Sequence, residues 1–157
     1  MLMLLFYLGD ILCTIKCEKV REIAPLVNLK TVRHAPDYFA GYFNYRGLIV
    51  PVIDLRQFIY GHPCHKRLST RIILANYQKK DSLSIIGFMA ERVTETVMKP
   101  QDAVLTMSLN IRKAPYLGNL VIEEKEMIQY IDLQKLPPKL DCLSIPEDGD
   151  SNAAEVD

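Results

Sequence analysis

A chain of 157 residues with 49% hydrophobic and 24% charged residues has ordinary globular usage, enough for one domain or two small barrels on one chain. Its formal charge of zero hides an imbalance: residues 141–157 carry six acids and no Lys or Arg, leaving 13 acids against 19 bases in residues 1–140, a body near +6. That charge is too diffuse for a nucleic-acid grip, since no run of five or more basic residues occurs, and an acidic surface on a protein partner is the milder inference.

Met1–Leu8 has a strand pattern. Its apolar opening is too short for a signal peptide, lacks a basic stretch before it and meets Gly9-Asp10 at once. No segment supplies the roughly 20 apolar residues of a membrane span, so a cytoplasmic protein is expected. Gly9-Asp10 signals a hairpin turn. Ile11, Cys13, Ile15 and Cys17 alternate with Leu12, Thr14 and Lys16, which predicts a second strand with two distinct faces. The pattern over Glu18–Ile23 fits a helical turn or a strand, and Pro25 ends it. Leu26–Val32 is strand-like. His34–Asp37 is a turn, with a short helical turn near Tyr38-Phe39.

Two strands are predicted near 41–45 and 47–54, followed by a short helix over Leu55–Tyr60 that stops at Gly61. Pro51 falls inside the second strand, where a residue without an N–H marks an edge, a bulge or a corner. Asp54 suits the cap of the helix that follows. Residues 61–69 are a loop, Thr70–Tyr77 a strand, and Lys79-Lys80-Asp81 a hairpin tip. Leu83–Met89 returns, and Val93–Val97 continues in strand register. Tyr116–Ile122 and Glu126–Ile131 make a last pair, with a brief helix over Leu133–Leu136. The fold is expected to occupy residues 1–138, with 139–157 an acidic, disordered tail. Nine or ten short strands with frequent turns point to an all-β barrel or sandwich.

Catalytic chemistry is missing from the motifs. There is no Gly-x-Ser-x-Gly elbow and no Gly-rich phosphate loop. The three histidines, His34, His62 and His65, sit in loop contexts. Cys13, Cys17, Cys64 and Cys142 are expected to be free thiols. A Cys-x3-Cys spacing along a strand holds its sulfurs too far apart for a tight zinc knuckle, so neither metal nor cofactor is expected. Two rivals follow from the barrel class alone. One is a small-molecule pocket. The other is a nucleic-acid barrel that stacks bases on Tyr42, Phe43 and Tyr45 near Arg46, a reading the weak local basicity opposes.

The most informative stretch is Gly41-Tyr42-Phe43-Asn44-Tyr45-Arg46-Gly47-Leu48-Ile49-Val50-Pro51-Val52-Ile53-Asp54-Leu55-Arg56. It holds no hydroxyl, thiol or imidazole nucleophile apart from tyrosines, and its polar residues cluster at strand ends, which suggests recognition. The run resembles the signature of the CheW family of chemotaxis coupling proteins: Gly, then Asn-Leu-Arg-Gly, three apolar residues, Pro, two apolar residues and Asp-Leu. Phe6–Asp10 is similar to the family's first hairpin and Val20-Arg21-Glu22-Ile23 to its Val-x-Glu-Ile. Gly87–Val97, Tyr116-Leu117-Gly118 and Gln129–Leu136 also fit, so the likeness covers about residues 3–136. Tyr45 stands where Leu is usual, and Cys13-Thr14 replaces Tyr/Phe-Gly. The wording at Tyr45, Arg67–Leu74 and Ala114–Gly118 is similar to coupling proteins of Wsp-type surface-sensing systems, which feed cyclic-di-GMP production.

The resemblance implies two SH3-like five-stranded β-barrel subdomains with short helical turns. It implies a non-catalytic adaptor whose partners are the cytoplasmic tip of a chemoreceptor and the regulatory domain of a CheA-type histidine kinase. It places Glu22 and Arg46 together on the receptor-facing surface, with Val20, Gly41, Asn44 and Gly47 shaping that region. Pro51 and Asp54 are expected to serve the fold. An Arg presents a planar five-donor fork suited to a carboxylate or carbonyls, and a Glu beside it restrains its rotamers. Without the resemblance, Arg46 and Glu22 are only a surface pair worth about 0–1 kcal/mol.

Overall fold

The computed structural model describes residues 2–79, 82–98, 116–123 and 126–136. They form β1 (Leu2–Leu8), β2 (Ile11–Lys16), β3 (Val20–Pro25), β4 (Phe39–Tyr45), β5 (Leu48–Asp54), α1 (Leu55–Tyr60), β6 (Arg71–Lys79), β7 (Ser82–Met98), β8 (Leu117–Glu123) and β9 (Glu126–Ile131). Short 3-10 turns cover Cys17–Lys19 and Leu133–Lys135. The expected tail at 139–157 and the hairpin tip at Lys80-Asp81 lie outside the described residues.

Strand β7, 17 residues long, runs through both parts of the fold. Its first part pairs antiparallel with β6 along one edge, and its residues Gly87–Met89 pair parallel with Val52–Asp54 of β5 along the other. Its last part pairs antiparallel with β1. Strand β3 adds to β6, β4 to β5, β2 to β1, β9 to β2 and β8 to β9. The strands therefore fall into two sets of five that share β7. The order of the sheet is open, β3-β6-β7-β1-β2-β9-β8 with β5 and β4 branching from β7. Closure into two barrels is not displayed by these ladders. The coarser expectation, a mostly β chain with short helical turns, describes the structure.

Residues Ile72–Ala75 of β6 are buried on both faces, which explains a continuous apolar run in place of alternation. Ile73 and Ala75 enter the main core with Leu4, Phe6, Leu8, Ile15, Ile53 and Phe88. Ile72 and Leu74 enter a smaller core with Ala24, Tyr45, Val50, Val52 and Met89. Helix α1 begins where Asp54 ends β5. Asp54 Oδ1 accepts from the Gln57 N–H at 3.1 Å, and its Oδ2 accepts from the Cys64 N–H at 2.9 Å. Gly61, left-handed at φ +77°, closes the helix. Phe58 of α1 meets the rings of Tyr38 and Tyr116 at 4.8 and 5.3 Å. Pro51 stands opposite Tyr42, one residue before β5 gains β7 as its second neighbour. There β5 still has a free edge, a place where a strand tolerates proline.

Local expectations change at several points. Leu26–Val32 is not a strand; it touches the sheet by a single bridge, Lys30 with Tyr42. The turn expected near Tyr38-Phe39 lies over 36–39, where the Phe39 N–H donates to the Pro36 carbonyl at 2.9 Å, and Phe39 then opens β4. Cys17 sits in the 3-10 turn, so Cys13 and Cys17 do not share a strand face. Thr14 is buried, and its hydroxyl donates to the Leu4 carbonyl at 3.0 Å. Residues 83–97 form part of one strand, as the continuing register suggests, and the strand bends at Arg92, which takes φ +47° where the β1–β7 register shifts between Leu5 and Tyr7.

Glu91 stabilises that bend. One of its carboxylate oxygens, Oε1, accepts from the Gly9 N–H at 2.7 Å and from Arg56 Nη1 at 3.4 Å. The other, Oε2, accepts from the His65 N–H at 3.1 Å and lies 3.2 Å from His65 Nδ1. The carboxylate thus ties the β1–β2 hairpin, α1 and the 61–69 loop to β7. Burial pushes its proton affinity up; the Gly9 and His65 N–H groups, the His65 ring and Arg56 outweigh this and hold the carboxyl below its ordinary value of 4.5. A carboxylate depressed on folding contributes stability above the unfolded value and loses it as pH falls through the folded one. Glu91→Gln is therefore expected to destabilise the protein at neutral pH. In urea denaturation the gap to wild type should narrow between about pH 7 and about pH 3, and an unchanged gap contradicts the assignment.

Candidate functional site

The β4–β5 hairpin is closed by two residues, Arg46 and Gly47, since Tyr45 pairs with Leu48. Both have positive φ, +50° and +87°. These are the values of a type I′ turn, the two-residue turn whose twist matches the flanking strands. Gly47 suits the second position on conformational grounds alone, because nothing lies within 4 Å of where its Cβ would be. A non-glycine residue at φ +50° is costly by about 1–2 kcal/mol, and such positions recur where a side chain must be presented. Asn44 holds the turn: its Oδ1 accepts from the Gly47 N–H at 2.8 Å.

The turn presents the Arg46 side chain, 72% exposed, towards Glu22 of β3. Arg46 Nη2 donates to Glu22 Oε1 at 3.1 Å. The same oxygen accepts from the Tyr45 hydroxyl at 2.8 Å. The guanidinium also lies over the Tyr45 ring, 5.1 Å from its centroid. Magnitudes rank these contacts. An exposed ion pair is worth about 0–1 kcal/mol, whereas a hydrogen bond to a charged acceptor is worth about 1.5–3 kcal/mol. The buried tyrosine therefore sets where Glu22 stands, and Glu22 in turn orients Arg46. Most of the guanidinium fork stays open to a partner. Beside it, Leu48 is 53% exposed and Ile49 38% exposed, an apolar flank to the charged pair.

Of the residues expected at this site, Glu22, Asn44, Arg46 and Gly47 come together at the hairpin tip. Val20 does not join them. The β3–β6 register shifts between Val20 and Glu22, so Val20 stands opposite Ala75 and Glu22 opposite Leu74. These partners belong to different cores, and Val20 packs against the main one. Gly41 is buried within β4 at φ +139°. A Cβ there would lie 2.5 Å from the Lys30 carbonyl oxygen and 2.8 Å from Leu29 Cβ, so Gly41 admits the 26–32 segment against the sheet. Tyr45, Leu48 and Ile49 were not assigned to the site from sequence. The one available signal was Tyr45 at a position where the family signature carries Leu.

Tyr42 and Tyr45 are buried and Phe43 packs on the smaller core, so the three rings offer no stacking platform. Among the described residues no group of three or more His, Cys, Asp or Glu is placed to hold a metal. Burial pushes the Cys13 thiol up to about 12. Cys64 is raised by burial and then by Asp54, and Cys17 by burial. All three are kept as thiols, poor metal ligands. No helix among the described residues is long and apolar enough to cross a membrane.

Residues 2–140 match the family model described as the CheW-like domain. The chain is 28% identical over 142 residues to the chemotaxis protein CheW of Klebsiella aerogenes, covering 85% of this chain and 79% of that one. It is 27% identical over 137 residues to a probable chemotaxis protein CheW of Rhizobium etli, covering 83% of each. It is 27% identical over 135 residues to the chemotaxis protein CheV3 of Helicobacter pylori, spanning 85% of this chain but only 42% of that longer relative. The fold is similar to the crystal structure of the scaffolding protein TtCheW from Thermoanaerobacter tengcongensis, with a TM-score of 0.73 at 22% identity over 85% of this chain and 84% of that one.

The ranking of contacts around Glu22 is open to measurement. Tyr45→Phe is expected to cost about 1–2 kcal/mol in urea denaturation, and Arg46→Ala less than about 0.5 kcal/mol. The reverse order contradicts the role given to the hydroxyl.

Proposed function

This chain belongs to the CheW-like domain family, and on that premise we propose that it is a non-catalytic adaptor coupling a chemoreceptor to a CheA-type histidine kinase. The observation that carries the proposal is the Tyr45–Glu22–Arg46 arrangement on a type I′ turn. It sets an open guanidinium fork beside two exposed aliphatic residues. That surface fits a helical receptor tip that offers a carboxylate or carbonyl oxygens next to apolar side chains. It binds and orients; it contains no nucleophile or general base in a position to do chemistry.

In this reading the two five-stranded sets are the two SH3-like barrels of the family, grouped about β7. The residues that act at the surface are Glu22, Asn44, Arg46 and Gly47, with Tyr45 behind them. Val20 and Gly41 shape the elements that carry the surface, and Pro51 and Asp54 serve the fold. The protein works in the cytoplasm, held at receptor arrays by its partners. The finer placement in the Wsp-type branch, with a cyclic-di-GMP output, is supported only by the wording at Tyr45 and 67–74 and at 114–118, of which 114 and 115 lie outside the described residues.

The test uses the purified full chain with a receptor-tip fragment. Arg46→Glu reverses the charge at the fork and sets two carboxylates side by side. It is expected to weaken receptor-tip binding by about tenfold or more, a change of about 1.4 kcal/mol, with little change in melting temperature. Wild-type protein that binds no cognate receptor tip, or an Arg46→Glu protein that no longer folds, overturns the proposal.

A further inference from the structure

The chain has three histidines, and the fold builds in one of them. His34 and His62 are exposed, and among the described residues neither side chain makes a hydrogen bond or an ion pair. His65 is different. Its backbone N–H lies 3.1 Å and its ring Nδ1 3.2 Å from the same oxygen, Oε2 of Glu91. The Glu91 side chain is 9% exposed and that of His65 62%, so a buried carboxylate fixes a ring that faces solvent.

The hydrogens available decide which side of the ring is free. Nδ1 also lies 3.1 Å from Arg56 Nη1, and one nitrogen cannot both accept from a guanidinium and donate to a carboxylate. Arg56 Nη1 carries two hydrogens and has two other acceptors, the Pro63 carbonyl at 3.3 Å and Glu91 Oε1 at 3.4 Å. With a hydrogen on Nδ1, that hydrogen goes to Oε2 and both Nη1 hydrogens have acceptors. Without one, three acceptors compete for two hydrogens, and a lone pair faces a carboxylate oxygen at 3.2 Å. The neutral ring therefore carries its hydrogen on Nδ1 and its lone pair on Nε2. A carboxylate behind an imidazole N–H fixes the tautomer, orients the ring and makes the opposite nitrogen a stronger donor of electrons. No group among the described residues occupies Nε2.

The surroundings select the electrophile. The 61–69 loop has no acidic residue, and Lys66 and Arg67 follow His65 directly. Both are exposed, and among the described residues neither makes an ion pair. Arg56 adds a third cation at the ring. A group with several negative oxygens gains charge-assisted hydrogen bonds there, whereas a neutral acyl or alkyl group gains none. A ring that has taken such a group is cationic, and Glu91 already stands where it stabilises an imidazolium.

We infer that His65 is a phosphoryl-accepting site, whose Nε2 attacks the phosphorus of a donor of the phosphoramidate class. The Nε2–P bond forms, and the donor's P–N bond breaks with its electron pair going to nitrogen. That nitrogen, already protonated in the donor, leaves as a neutral amine. The Nδ1 hydrogen stays on its bond to Glu91 throughout. The product sets about two negative charges beside Lys66 and Arg67 and offsets the positive charge of the loop. The site stands on the geometry around Glu91 and is independent of the adaptor reading.

The test treats the full-length wild-type chain with phosphoramidate at neutral pH and follows each histidine by peptide mass spectrometry and phosphorus NMR. His34 and His62 serve as standards in the same tube. His65 is expected to gain a phosphoryl group about tenfold faster than either, with the phosphorus on Nε2. In denaturing urea the three histidines should react alike. Glu91→Gln is expected to bring His65 within about threefold of the other two, and where that variant does not fold the urea comparison stands in for it. Lys66→Gln/Arg67→Gln should slow His65 by about threefold or more and leave His34 and His62 unchanged. Wild type in which His34 or His62 reacts as fast as His65 overturns the inference, as does phosphorus on Nδ1. A preference that survives urea, a folded Glu91→Gln protein that keeps it, or a rate unchanged by loss of the two cations overturns it too.

Discussion

The fold turns on a bend in one strand and on the carboxylate that holds it. Strand β7 serves two sets of partners, β5 and β6 before the bend and β1 after it. A straight strand cannot follow both. Arg92 takes the left-handed conformation that changes direction, and Glu91 gathers Gly9, Arg56 and His65 around the corner. The β1–β2 hairpin, the α1 helix and the 61–69 loop are thereby fixed relative to the sheet. The Arg46 surface is rigid because the hairpin that carries it is referred to this strand through β5.

At the Arg46 surface, stability and recognition are assigned to different residues. Tyr45 is buried and takes part in the smaller core, so its ring position is settled by packing. Its hydroxyl transfers that fixity to Glu22, and Glu22 to Arg46. A long, exposed arginine would otherwise spend rotamer entropy on every encounter. The left-handed backbone at Arg46 adds to the same end, since a strained residue in a two-residue turn has few alternatives. The price in stability is small and falls on the tip of one hairpin.

Much of this was legible in the sequence where local chemistry decides. Asp54 before an apolar helical stretch and Gly61 after it mark α1 with its true ends. Pairing of the strands around Arg46-Gly47 follows from the polar pair between two apolar runs. What escaped was decided by neighbours distant in the chain. The register shift beside Arg21 turns Val20 to the main core and leaves Glu22 at the surface beside Arg46, and nothing in Val-Arg-Glu-Ile announces it. The apolar 26–32 segment has a strand's composition, yet it lies against Gly41 with one bridge, because the close approach needs a residue without Cβ and not a ladder. Thr14 is buried by a bond to a strand ten residues earlier. Tyr45 was read as a departure from a family pattern, whereas its value lies in Glu22, which the sequence separates by 23 positions.

The central claim is that one small β protein couples two different partners. Simultaneous occupancy tests it most directly. Saturate the full chain with a receptor-tip fragment, add a CheA-type regulatory domain, and follow the mass of the complex by analytical ultracentrifugation. The account predicts a ternary complex in which neither partner displaces the other. Mutual displacement, or failure of either partner to bind, contradicts it.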